Sequence, residues 1–141
     1  MKALTVRQPW AWLIVHGGKD VENRSQRTHF RGRIAIHAGL QDDHEAMRDL
    51  PMRDPSGKPR IFEFGMVIGT VEIVGCHHAN ECVKVHPTNE HEDCNQYTYC
   101  SKWAQEDGWH WELADPQPLT CPFPAKGKLG LWNLSDEAAM A

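Results

Sequence analysis

Ala3-Leu4-Thr5-Val6-Arg7-Gln8-Pro9-Trp10-Ala11-Trp12-Leu13-Ile14-Val15-His16-Gly17-Gly18 holds the change of period that decides the fold class. Ala3–Val6 reads as a short β-strand. Gln8-Pro9-Trp10 then starts a helix, because proline suits a first turn whose N–H groups have no partner in any case. Trp10, Leu13 and Ile14 are spaced i, i+3, i+4 and give that helix one apolar face. Gly17-Gly18 ends it, since glycine takes the left-handed C-terminal conformation at little cost. A strand that feeds a helix so early points to a mixed architecture.

The rest of the chain adds mostly strands. Gly32–Ala38 alternates Arg33, Ala35 and His37 with Ile34 and Ile36, a two-residue repeat. Residues 41–50 read as a short helix with Ala46, Met47 and Leu50 as its apolar side, and proline and glycine make 51–60 a loop. Met66–Val74 is the strongest strand, and the polar segment from Gly75 to about Asn95 has little periodicity. Trp109–Leu113 alternates as a strand, Pro116, Pro118, Pro122 and Pro124 punctuate the next stretch, and Leu129–Leu134 is the last strand. Strands spread along the chain with two early helices predict an α+β fold with a curved sheet or small barrel.

The 141 residues fit one domain, and a 40% hydrophobic content supports a real core. No apolar run approaches the roughly 18–20 residues that span a membrane. Arg7, Gln8 and Pro9 break the N-terminal apolar run, unlike a signal peptide, so a cytoplasmic protein is expected. Five cysteines are an odd number for a complete disulfide framework. The net charge of -4 does not suggest a generic polyanion binder. Its distribution is uneven. Residues 1–33 carry seven lysines and arginines against two acids, whereas 81–115 carry two against eight. A local basic face on an acidic chain, or a pair of solvated surfaces, fits that asymmetry.

The order of the pieces resembles the ASCH domain, a branch of the PUA-like superfamily. The matching stretches are Leu4-Thr-Val-Arg-Gln-Pro-Trp-Ala11, then Gly17–Arg24 with a G-x-K-x-x-E-x-R pattern, Arg31–Ala38, the strand at Gly69–Val74, and Lys126-Gly-Lys-Leu-Gly-Leu-Trp132. The resemblance covers nearly the whole chain and implies one domain over 1–135, with a variable insertion at about 76–107 and a frayed tail at 136–141. It implies a β-barrel of about five or six strands with two or three flanking helices and a cleft between barrel and helices. It also implies RNA or a nucleotide as partner. Some members of the family are nucleases, and one branch hydrolyses acyl groups from the exocyclic amine of modified cytidine.

The residues themselves offer what such a ligand needs: cations for phosphate, a flat face for a base and directional groups for its edge. Lys19, Arg24, Arg31 and Arg33 can meet phosphate. Trp10 can stack, Glu22 can accept from an exocyclic amine, and Gln8 can donate and accept. The structural alternative is a turn in which Lys19 and Glu22 pair with each other and Trp10 is core. As an enzyme, the chain would use Lys19 and Glu22 as its proton-transfer pair. The amidohydrolase branch resembles it at Lys19 but has threonine where Glu22 stands, and Glu72 and Glu81 are nearest to that branch's second carboxylate. His37 either joins a nuclease-like acid–base pair or packs within its strand. A third reading makes the acidic 81–115 region a surface for a protein partner.

Cys76, His77, His78, Cys82, His86, His91, Cys94 and Cys100 crowd into 25 residues. These are side chains that zinc prefers, but the gaps are irregular and contain no C-x-x-C. The expectation is a polar insertion without a cofactor. A structural zinc on Cys76, Cys82, Cys94 and Cys100 is the alternative.

Overall fold

The computed structural model describes residues 1–82, 84–85, 97–98 and 100–135. Their elements are β1 (Lys2–Gln8), α1 (Trp10–His16), β2 (Val21–Arg24), β3 (Gly32–Asp42), α2 (His44–Asp49), β4 (Met66–His78), α3 (Ala79–Cys82), β5 (Lys84–Val85), β6 (Tyr97–Thr98), β7 (Trp109–Pro124) and β8 (Leu131–Asn133). Six strands form one mixed sheet in the order β2-β7-β4-β3-β1-β8, and β5 and β6 form a separate pair. The fold is α+β. Six strands and three helices match the expected α+β content, and the sheet stays open rather than closing into a barrel, with β2 and β8 as its edges among the described residues. No helix among them is long and apolar enough to cross a membrane.

The described residues form two compact units. One holds Met1–Gly18, Arg33–Glu72 and the chain from Asp115 on; the other holds Lys19–Gly32 and Ile73–Ala114. In the first, β1 pairs in parallel with β3, from Ala3 opposite Ala35 to Val6 opposite Ala38, and antiparallel with β8. Alternation sends Leu4, Val6, Ile36 and Ala38 to one face and Ala3, Thr5, Ala35 and His37 to the other. Both faces are buried. On the second, Ala3, Ala35, Val67, Trp132 and Leu134 form a core against which Leu119, Phe123 and Ala125 pack. Near-continuous apolar runs are what such a doubly covered centre requires.

Helix α1 begins where expected, with Pro9 as its N-cap. Gly17 keeps a negative φ, and Gly18 (φ 76°) is the residue that takes the left-handed turn. In α2 no residue is fully buried, although Ala46, Met47 and Leu50 are its half-buried side. β4 runs four residues beyond Val74, to His78, so the supposed aperiodic segment starts as strand. The expected frayed tail, 136–141, lies outside the described residues.

β7 is the larger departure. It continues through all four prolines. The Leu113 N–H donates to the Asp20 carbonyl, so this residue's backbone faces β2. Four residues later the Gln117 carbonyl faces Gly69 of β4. Strict alternation forbids that change of side. Asp115, at φ 51°, lies between the two and supplies the change, as bulged strands do. Pro116, Pro118, Pro122 and Pro124 share the opposite parity from Gln117, so their missing N–H groups point away from β4. β2 pairs only with Trp109–Glu112, and no ladder bond is lost there.

At Gly69, β4 comes close to both α1 and β7. A Cβ there would lie 2.7 Å from Val15 Cγ1 and 2.8 Å from the Gln117 carbonyl oxygen. Gly69→Ala is expected to destabilise the protein by about 1–3 kcal/mol through overpacking, read as a lower urea midpoint at unchanged slope.

Candidate functional site

The residues singled out from the sequence divide between the two units. Gln8, Trp10, Arg33 and His37 belong to the first, and Lys19, Glu22, Arg24 and Arg31 to the second.

In the first unit each of the four is tied into the fold. Gln8 is fully buried. Its Oε1 accepts from the Trp12 N–H at 2.9 Å and its Nε2 donates to the Glu63 carbonyl at 2.9 Å. It therefore caps the first turn of α1, which Pro9 has no side-chain group to do. Half-buried Trp10 donates from Nε1 to Asp43 Oδ2 at 3.1 Å. Hydrogen bonds from the Ala46 N–H, then from Trp10, hold the Asp43 carboxyl below the usual range. Arg33 donates to Thr70 Oγ1 at 2.9 Å and to the Asp115 carboxylate at 2.5 Å, with Glu72 3.8 Å away. His37, 2% exposed, lies with Nδ1 3.2 Å from Thr5 Oγ1 and Nε2 2.7 Å from the Ala125 carbonyl. Trp132 meets it edge-on and donates to the same Thr5 hydroxyl.

The second unit brings Lys19, Glu22 and Arg24 together. β2 pairs antiparallel with β7, setting Glu22 opposite Trp111 and Arg24 opposite Trp109. Cross-strand partners share a face, so Glu22, Arg24, Trp109 and Trp111 stand side by side. Glu22 is 7% exposed and takes two cations. Lys19 Nζ lies 3.3 Å from Oε1, and Arg24 Nη2 lies 3.0 Å from Oε2. Lys19 also donates to the Val21 carbonyl. The Arg24 guanidinium lies 5.9 Å from the Trp111 ring centre, and Arg27 lies 5.7 Å from that of Trp109. Trp111 is buried, donating from Nε1 to the Gln26 carbonyl, whereas Trp109 is half-buried. Arg31, exposed, donates to the Thr28 and Phe30 carbonyls.

The opposite face of the same strand pair carries Val21, Asn23, His110 and Glu112. Fully buried His110 lies with Nδ1 3.2 Å from His77 Nε2. The ligand atoms of His77, Cys82, Cys100 and His110 all fall within 4.8 Å of one another. Cys76 is not among them, because it follows Gly75 and precedes His77 on a strand and so points to the other side. His86, His91 and Cys94 lie outside the described residues. The sequence reading missed Trp109, Arg27 and His110. The signal was the alternation Trp109-His110-Trp111-Glu112, which already assigned tryptophans and polar groups to separate faces. The partners across the sheet were not legible.

Burial sets the energetics of the ionic group. Desolvation lowers the pKa of Lys19 from its ordinary 10.5, opposed by the charge and hydrogen bond of Glu22. A buried pair is strongly destabilised when one member is removed. Glu22→Gln leaves Lys19 buried without its counter-charge and is expected to cost about 3–5 kcal/mol in urea unfolding. Lys19→Met leaves Glu22 with Arg24 and is expected to cost clearly less. The pH dependence has a definite sign. With the folded-state pKa lowered, the unfolded chain binds more protons just below 10.5, so stability gains from this residue as pH rises through that window. The difference between wild type and Lys19→Met should therefore shift in favour of wild type toward alkaline pH.

A family model described as the ASCH domain matches residues 4–123. Activating signal cointegrator 1 of Homo sapiens is 28% identical over 145 residues, and its counterpart in Mus musculus is 27% identical. Each alignment covers 95% of this chain and 22% of the relative. The chain thus spans about a fifth of the length of the curated relatives it matches.

Proposed function

The chain belongs to the ASCH domain family, and from that premise we propose that it binds single-stranded RNA or a nucleotide through the β2–β7 face of its second unit. The observation that carries this reading is Glu22. A buried carboxylate neutralised by Lys19 on one oxygen grips Arg24 with the other, so the guanidinium is held partly exposed over Trp111. An arginine ordered in this way loses little further entropy on meeting a phosphate or a base edge. Half-buried Trp109, crossed by Arg27, adds an aromatic platform beside it. Exposed Arg31 adds a further cation to the same unit. The net negative charge of the whole chain is compatible with this, because a local cationic strip acts within about a Debye length of 8–10 Å. Gln8 and Trp10 are not part of this proposed face: they belong to the first unit, where their polar atoms serve α1 and α2.

Binding to a short single-stranded RNA is expected to weaken at least tenfold in Arg24→Glu. Its salt dependence should become shallower by roughly one phosphate contact, read as the slope of log K against log salt. Trp109→Ala is expected to cost about 1–3 kcal/mol of binding. Unchanged affinity in both variants, each shown to be folded by circular dichroism, would reject the reading.

One observation favours a second reading, hydrolysis of an N-acylated cytidine or of RNA. Lys19 is a buried amine whose pKa is lowered by desolvation and lies 3.3 Å from a carboxylate, as proton-transfer pairs are. Chromatography of a panel of acylated cytidines after incubation with the protein tests it. The hydrolase reading expects product that disappears with Lys19→Met; no release, or release untouched by that change, rejects it.

A further inference from the structure

We propose that His77, Cys82, Cys100 and His110 form a structural zinc site on the face of the β2–β7 pair opposite the proposed ligand face. The four come from the end of β4, from α3, from the residues after β6 and from the start of β7. Their ligand atoms lie within 4.8 Å of one another. Two thiols and two imidazoles are a donor set that suits tetrahedral zinc.

The hydrogen bonds around the cluster supply an independent argument. His110 Nε2 lies 2.7 Å from the Gln105 carbonyl, which can only accept, so the proton is on Nε2. His77 Nδ1 lies 3.1 Å from the Glu112 carboxylate, which likewise accepts and so takes its proton from Nδ1. In these tautomers the acceptor nitrogens His77 Nε2 and His110 Nδ1 face each other at 3.2 Å, with Cys100 Sγ 3.8 Å from the latter. A single cation placed among them can be bound by both nitrogens and by the sulfur. A tetrahedral ion with bonds of about 2.0–2.1 Å to nitrogen holds two ligand nitrogens roughly 3.3–3.4 Å apart. A carbonyl or carboxylate behind each ring is the outer support that metal-ligating histidines use to fix tautomer and orientation.

The sulfurs fit the same centre. Cys100 Sγ lies 3.8 Å from His110 Nδ1, near the roughly 3.6 Å expected between sulfur and nitrogen ligands of one zinc. The Cys100 N–H donates to Cys82 Sγ at 2.9 Å, which fixes that sulfur beside the other three ligand atoms. Each thiol releases its proton to solvent as its sulfur binds the ion, and no electron is transferred. The irregular spacing then has a structural origin. Strand alternation and one short helix bring the ligands together, so no compact sequence motif is required. The metal ties residue 82 to residue 100 and both to β4 and β7.

Mass-spectrometric metal analysis of the full chain, purified without a histidine tag, together with cobalt titration of the reduced, metal-free protein, tests the proposal. About one equivalent of zinc is expected, or else a cobalt–thiolate charge-transfer band that saturates at about one equivalent. The metal or the band should be lost in Cys100→Ser, whose side chain is exposed enough for the fold to tolerate the change, and in His110→Gln. Either should persist in Cys76→Ser. Less than about a tenth of an equivalent of zinc with no thiolate band in the wild type would overturn the site. So would metal retained undiminished in Cys100→Ser and His110→Gln. The cobalt titration uses the wild-type chain, so a poorly folding variant does not remove the test.

Discussion

Successive side chains leave a β-strand on opposite faces, and that two-residue repeat organises this protein more than any single contact does. In the first unit it sends Leu4 and Ile36 to one buried face and Ala3, Ala35 and His37 to the other, so the central strands supply two cores at once. In the second it separates Glu22, Arg24, Trp109 and Trp111 from His110 and Glu112. An ion-pair and aromatic face therefore backs onto a cysteine–histidine cluster across one sheet thickness. Where the repeat must change phase, along β7, a single residue at positive φ does so, and the prolines beyond it stop costing hydrogen bonds.

Gln8, His37 and Glu22, polar side chains taken into this interior, each meet partners there. Gln8 uses both ends of its amide on backbone groups, His37 has an oxygen near each ring nitrogen, and Glu22 faces two cations. Such groups are costly only when partners are missing. The arrangement also distinguishes two uses of charge. Arg33 is bound to Asp115 and Thr70, contacts that serve the sheet. Arg24 meets a Glu22 carboxylate oxygen, and its guanidinium lies over the Trp111 indole while staying partly exposed. The same formal charge at two strand positions thus has different surroundings, a carboxylate and a hydroxyl for Arg33 and a carboxylate beside an indole for Arg24.

Much of the fold was legible in the chain. The first strand, α1, the Ile34/Ile36 strand, the Val67–Ile73 strand and the Trp109–Leu113 strand follow from local period and from glycine and proline. The extensions of β4 and β7 were not, because a strand persists where a neighbour pairs with it, and proline is tolerated when its missing donor faces no partner. The candidate loop was legible as a set of residues, Lys19, Glu22 and Arg24, but not as a geometry. Nothing local says that Glu22 lies on β2 across from Trp111, or that Gln8 turns inward to cap a helix. Nor does local sequence join His110 to His77, on another strand.

The sequence by itself determined the periods, the helix ends, the charge asymmetry and the family to which the chain belongs, because these depend on neighbours along the backbone. Tertiary structure decided which faces of those strands meet and hence which polar groups become sites. Register across a sheet is set by burial of whole faces, a property of two distant segments together. For that reason the cysteines and histidines look scattered along the chain, yet four of them converge within a few ångströms in the folded second unit.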